Sequence, residues 1–262
     1  MNAYPNILQS FFLVAIIAIV HAFGKRIFSP IEDISLAMML IGFFKCCLLF
    51  LFLLLMIRKN YMEKLEFSLK RVNINPLVAS VLGVVCISNL PIQEFSFFDE
   101  ATVSDIGADI LESQIDIFSF SYVVLVAPIF EEIVFRGVIQ RGLSERYSPV
   151  VGILVASVLF TVLHVSLIGT FLFSLFIGWI YSQTKNLLYC VIMHVAVNLV
   201  AFGMRFVIFK QYVTIESLND FLMSNNFWIG TVLLTIFLGS LYYLYFTFRV
   251  YSNKLVNSNN DS

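Results

Sequence analysis

Apolar and polar positions alternate on a coarse scale along this chain, with long apolar stretches joined by short polar connections. Eight stretches stand out: Ile7–Phe23, Ile34–Ile57, Leu77–Leu90, Ile117–Val138, Val150–Ile168, Thr170–Gln183, Leu187–Val207 and Phe227–Phe248. Most are apolar on every side, the pattern of a helix surrounded by lipid or protein rather than one with a single buried stripe. A membrane-crossing helix needs about 20 largely apolar residues. The third and sixth stretches are short, so each is open to a second reading as a tilted, protein-buried helix. The expected fold is all-α: a polytopic membrane protein of about eight transmembrane helices, without an internal repeat.

Composition narrows the class further. Hydrophobic residues make up 60% of the 262 residues and charged residues 13%, with a mean hydropathy of +0.91. Soluble domains carry about 25% charged residues, so no soluble domain is expected. The net charge is −1 and the basic residues are scattered, which leaves no phosphate-binding stripe and no nucleic-acid partner. Cys46, Cys47, Cys86 and Cys190 all lie in apolar stretches without a CxxC pair. They read as small packing residues, not as a disulfide framework or a thiolate zinc site. The first stretch lacks both a preceding Lys or Arg and an A-x-A site, so it reads as a retained span. The polar end, Asn257–Ser262, reads as a disordered tail.

Basic residues orient the spans. With the N-terminus inside and eight spans alternating, the inside holds ten: Arg58, Lys59, Lys64, Lys70, Arg71, Arg141, Arg146, Lys185, Arg249 and Lys254. The outside holds four, Lys25, Arg26, Arg205 and Lys210, while Lys45 and Arg136 fall within spans. The expectation is a multi-pass protein of the cell membrane with both termini cytoplasmic. The acidic loop Pro91–Asp116 has no Lys or Arg and falls outside, where it reads as a solvated connection.

Chemistry concentrates in the fourth, fifth and seventh stretches. The fourth contains Ala127-Pro-Ile-Phe-Glu-Glu-Ile-Val-Phe-Arg136. A charge at the centre of a membrane helix costs about 2.5–3.5 kcal/mol even on lenient scales, and such residues mark functional sites by default. Two of the three histidines, His164 and His194, also lie in apolar stretches, and Asn198 follows His194 by four residues. Adjacent residues on a helix point about 100° apart, so Glu131 and Glu132 face different surroundings. Glu132 and Arg136 have the i,i+4 spacing of an ion pair and are assigned to each other as structural support. Glu131 is then left to meet His164, His194 and Asn198. A carboxylate with two imidazoles can deprotonate water or ligate a metal. Histidine and asparagine can donate hydrogen bonds to an oxyanion. Together these groups suit hydrolysis of a peptide bond.

Glu131-Glu132-x-x-x-Arg136, Phe160-x-x-x-His164 and His194-x-x-x-Asn198, each in its own apolar stretch, resemble the CPBP family of intramembrane proteases. That family includes the Ras-converting CAAX prenyl endopeptidase and bacterial proteins linked to bacteriocin self-immunity. The resemblance runs from Ile117 to about Val207. It implies a three-part organisation: N-terminal helices and the acidic loop over 1–116, the catalytic helical core over 117–209, and a final helix with its tail over 210–262. It also implies that Glu131 and His164 activate water while His194 and Asn198 stabilise the oxyanion, acting on a membrane-associated peptide or protein substrate. No cofactor is expected. The alternative is a zinc ion held by Glu131, His164 and His194. Two other functions compete with the peptidase: a non-catalytic immunity or scaffold factor, and a proton-coupled transporter using the Glu/His cluster. Transporters usually carry paired repeats, which this chain lacks.

One tension remains within this reading. With cytoplasmic edges near Arg141, Pro149 and Asn186, a rise of about 1.5 Å per residue puts Glu131 roughly 15 Å deep, His164 roughly 22 Å and His194 roughly 12 Å. A shared site requires the fifth helix to start below the membrane edge or to tilt strongly.

Overall fold

The computed structural model describes residues 3–59, 65–68, 72–90, 115–164, 167–209 and 215–260. Most of the acidic loop, together with Lys64, Lys70, Arg71 and Lys210, lies outside the described residues. The described residues form eight helices and no strand. They are α1 (Ile7–Phe28), α2 (Ile34–Arg58), α3 (Ile74–Ser88), α4 (Ile117–Arg146), α5 (Pro149–Val162), α6 (Leu167–Thr184), α7 (Leu187–Phe209) and α8 (Ile215–Asn260).

Among the described residues, six of these helices are long and apolar enough to cross a membrane; α3 and α5 are shorter apolar helices. Eight apolar helices are present among the described residues, six of them of full spanning length. The fifth stretch is divided by local chemistry. Ser148 caps α5, its side chain accepting from the Val151 N–H, and Pro149 opens the helix. The helix ends at Val162, and α6 starts at Leu167. His164 therefore lies between two helices instead of inside a span. The sixth stretch extends to 18 residues and is long enough to cross. At the other end of the chain, Asn257–Asn260 continue α8, where a disordered tail was expected.

α4 is unusual in its backbone. It is π-helical over Ser121–Val126 and again over Ile133–Gln140, with an α-helical segment, Ala127–Glu132, between them. Such i→i+5 stretches are rare and concentrate at functional sites. Val134 to Gln140 are all buried, so polar groups there need partners inside the protein. α6 supplies them. Arg136 Nη2 donates to Ser174 Oγ at 2.9 Å and to the Ser174 carbonyl at 3.2 Å, and Gln140 Nε2 donates to the Gly178 carbonyl at 2.7 Å. One turn on α4 matches one turn on α6, so the two helices run parallel, with α5 connecting them.

Several connections gather at one end of the bundle. Arg146 Nη1 donates to the Ala3 carbonyl at 3.3 Å, and the Tyr4 ring packs against Phe52. Asn186 exchanges two hydrogen bonds with the Ser68 backbone, and the Leu187 N–H donates to the Glu66 carbonyl. Lys185, with a left-handed φ of 50°, links α6 directly to α7.

These contacts remove the depth conflict. α4 continues without a break to Arg146, so Glu131 stands fifteen residues from its end, as His164 stands fifteen from Pro149. Both positions are roughly 20 Å from that end. α7 begins inside the protein, its Asn186 and Leu187 both 1% exposed beneath the Glu66–Ser68 strip. His194 is therefore deeper than a count from a membrane edge implies.

The return from α4 into α5 depends on close backbone approach at Gly152. A Cβ there would lie 2.6 Å from the Gln140 carbonyl and would also strike the Ser144 hydroxyl, whereas a Cβ at Gly203 would meet nothing within 4 Å. Gly152→Ala is expected to lower stability by about 1–3 kcal/mol, the usual result of overpacking. Gly203→Ala is expected to be neutral or slightly stabilising, because alanine is the better helix former. Thermal melting of the two purified variants in detergent checks this contrast.

Candidate active site

The two adjacent glutamates close the α-helical segment of α4, immediately before its second π-helical stretch. They face different environments. The Glu132 side chain is fully buried, and the Glu131 side chain is 23% exposed. Glu131 Oε2 lies 3.8 Å from His164 Nε2 and 3.7 Å from His194 Nε2. α4, the segment just past the end of α5, and α7 thus bring one carboxylate oxygen and two imidazole nitrogens together.

The outer nitrogen of each ring has its own acceptor. His164 Nδ1 is 2.8 Å from the Phe160 carbonyl, and His194 Nδ1 is 2.7 Å from Glu132 Oε1. Facing acceptors only, both Nδ1 atoms must carry hydrogen. In the neutral rings, both Nε2 lone pairs then point toward Glu131. The separations of 3.7–3.8 Å are too long for direct hydrogen bonds, and a polar contact of that length is the kind water bridges. A water between Glu131 and His164 would meet two acceptors, an arrangement suited to removing a proton.

Glu132 does more than the i,i+4 spacing indicates. Its Oε2 stands 3.2 Å from Arg136 Nε, as assigned, but its other oxygen holds His194. The expected pair is present but not self-contained: the carboxylate is shared between the guanidinium and the imidazole. The Arg136 contact is an ion pair without hydrogen-bond alignment, since among the described residues neither Arg136 Nε nor Glu132 Oε2 makes a hydrogen bond. Arg136 is anchored instead by Ser174, and its guanidinium carbon lies 5.0 Å from the Phe160 ring centre. Carboxylate, guanidinium and imidazole are all nearly inaccessible to solvent, so each depends on the others for charge compensation.

Aromatic rings hold both imidazoles in place. Phe160 stacks on His164 with ring centres 4.3 Å apart and presents an edge contact to His194 at 5.9 Å. Phe173 packs on His194 at 4.8 Å. Phe160 lies one turn before His164, the spacing from which its role could have been anticipated. Ser174, Phe173 and the Glu132–His194 bond join residues far apart in the chain, and no local pattern signals them.

Asn198 sits one turn beyond His194 on α7. Its Nδ2 donates to the Val123 carbonyl at 2.8 Å, in the first π-helical stretch of α4. Among the described residues, no hydrogen bond joins Asn198 to Glu131 or to either histidine. The bond to Val123 fixes which end of the amide is nitrogen and leaves the second N–H of that group available.

Glu131, His164 and His194 have the donor chemistry of a His₂Glu zinc site in a more open arrangement: tetrahedral ligands with bonds of about 2.0–2.1 Å stand roughly 3.3–3.4 Å apart, closer than Glu131 Oε2 is to either imidazole Nε2. Among the described residues, no group of three His, Cys, Asp or Glu side chains is disposed to hold a metal ion.

Residues 113–200 match the family model of the Rce1-like type II CAAX prenyl endopeptidases. This segment contains all three motifs, and the match is consistent with the resemblance to CPBP-type intramembrane proteases. No curated protein and no solved structure gives a significant match. The six apolar helices make this a multi-pass membrane protein, and about a third of its length is similar to the Rce1-like endopeptidase model.

The shared carboxylate yields a specific expectation. Glu132→Ala should lower stability by about 3–5 kcal/mol, because it leaves Arg136 buried without its counter-charge. Replacing both partners, Glu132→Leu with Arg136→Leu, should recover much of that loss without recovering activity, since His194 still lacks its acceptor. Melting temperature and peptide cleavage measured on the same preparations test the two halves separately.

Proposed function

We propose that the protein is an intramembrane endopeptidase that cleaves membrane-associated protein or peptide substrates with a water activated by Glu131. The observation carrying this reading is the approach of both histidine Nε2 atoms to one Glu131 carboxylate oxygen. The family match supports protease activity; the following steps are the reading of these particular residues.

Water binds between Glu131 and His164. As its oxygen attacks the scissile carbonyl carbon, the Glu131 carboxylate takes one of its protons. The carbonyl π electrons move onto oxygen and form the tetrahedral oxyanion. His194 and Asn198 donate to that oxyanion through Nε2–H and the second amide N–H. Because His194 Nδ1–H is already committed to Glu132, His194 acts in this step as an imidazolium, and Glu132 stabilises its charge, as the carboxylate does in a Ser-His-Asp triad. Collapse of the intermediate breaks the C–N bond, and the leaving nitrogen takes the proton held by Glu131. The products are a carboxylic acid and an amine, and transfer of the acid's remaining proton, with His164 as the relay, leaves a carboxylate and an ammonium.

No step requires a metal in this mechanism, which relies on geometry that a zinc site would have to tighten. We take the end bearing Arg141, Arg146 and Lys185 as cytoplasmic because basic residues favour that side, and a polar path from that end would bring substrate and water to the site. Within this reading the segment over 117–209 is the catalytic unit.

Glu131→Ala should leave essentially no peptide cleavage. Asn198→Ala should retain weak activity, since loss of one oxyanion donor typically costs on the order of 10²–10³ in rate. Cleavage assays with wild-type accumulation of both variants test this ordering. A Glu131→Gln protein that supports the cellular phenotype in full would instead favour a scaffold role.

The metal question has a separate outcome. Activity is expected to survive chelation in a preparation without stoichiometric metal. Loss on chelation and restoration by zinc, with one bound ion per chain, would overturn the metal-free mechanism while retaining the same residues as ligands. Accessibility of single cysteines beside Glu131 checks the orientation: labelling is expected from the cytoplasmic face, and labelling from the outside alone would reverse it.

A further inference from the structure

We infer that the space between α1, α2 and α4 is a binding site for an acyl chain ending in a carboxylate, such as a long-chain fatty acid. The space is a cavity of about 380 Å³, within the range of small-molecule sites. Its walls are almost entirely apolar, with Phe12, Leu13 and Ile16 from α1, Leu49 and Phe52 from α2, and Phe130 from α4. One ammonium group enters it, that of Lys45.

Lys45 explains the chemistry expected of the occupant. It lies eleven residues from the start of α2 and thirteen from its end, near the middle of a candidate span. A charge at that depth needs a partner. Its surroundings are neutral: Lys45 Nζ donates to the Tyr122 hydroxyl at 3.3 Å, and it lies 5.7 Å and 5.4 Å from the ring centres of Tyr122 and Phe130. Among the described residues, no carboxylate pairs with it. One hydrogen bond leaves two of its three N–H donors for a ligand. A bound carboxylate would use them and neutralise the charge.

The walls choose between an acyl chain and a peptide bearing the same terminal group. Each peptide unit brings an N–H and a C=O that need partners away from water. Besides Lys45, the cavity's polar side chains are those of Gln9 and Tyr4, and the Gln9 side-chain oxygen already accepts from the Asn6 N–H in the α1 cap. An acyl chain makes no such demand. A bilayer phospholipid is also a poor fit, because its headgroup stays at the membrane surface while Lys45 is about 17 Å from the nearer end of α2. This inference is independent of the peptidase reading.

The test uses full-length protein in phosphatidylcholine nanodiscs with a diazirine-bearing palmitic acid. Cross-links are expected on the cavity faces of α1 and α2, with competition by palmitic acid but not by its methyl ester. Lys45→Met should reduce labelling roughly tenfold, the effect expected of losing one charge-assisted contact, while Lys45→Arg should retain most of it. Removing a charge from mid-span favours membrane insertion, so loss of label in Lys45→Met is not expected to reflect failed folding. Leu13→Trp, which fills the cavity without changing Lys45, should also block labelling. Equal competition by acid and ester, undiminished labelling of Lys45→Met, or normal labelling of folded Leu13→Trp would overturn the proposal. So would competition confined to an apolar peptide with a free C-terminus.

Discussion

The fully buried carboxylate of Glu132 is the constraint on which the core of this protein depends. A lone charge in an apolar interior carries a large desolvation penalty. Here the penalty is offset from two directions, by Arg136 on the same helix and His194 on α7. Arg136 in turn needs Ser174 on α6. One carboxylate therefore ties α4 to α6 and α7, and ties the orientation of a site imidazole to the packing of the bundle. Stability and chemistry are linked because the same group serves both.

The second imidazole is held by a more local device. His164 follows the end of α5, where its ring turns back to the Phe160 carbonyl and stacks on the Phe160 ring. Ending the helix at Val162 frees His164 from helical geometry. The two histidines reach Glu131 by different routes: one rigid and buried on α7, the other at a helix boundary and 32% exposed. In the proposed mechanism that difference has a use: water would enter beside His164 while the oxyanion side, at His194, stays fixed.

The π-helical stretches of α4 flank the α-helical turn that carries both glutamates. The first provides the Val123 carbonyl that orients Asn198, and the second carries Arg136 and Gln140 to their partners on α6. Irregular backbone in a membrane protein is tolerated where protein surrounds it, and Val134 to Gln140 meet that condition. The deviations from regular α-helix thus lie on the element that contributes most to the site.

Hydropathy along the chain was enough to locate all eight helices and to define a polytopic all-helical protein, because the cost of exposing polar backbone to lipid acts on each segment separately. The motifs were equally legible: Glu131, His164, His194 and Asn198 are polar residues where lipid disfavors them, and Glu132 and Arg136 have a spacing that any helix would bring together. Only tertiary structure decided the rest. α5 stops short of His164 and α7 begins beneath the Glu66–Ser68 strip, so depths counted from assumed edges were misleading. Glu132 bonds to His194 across 62 positions, and Lys45 projects into a cavity built from three helices. Periodicity specifies which residues share a face of one helix. It carries no information about how that helix is rotated and shifted against its neighbours, and those two quantities determine the partner of every buried charge.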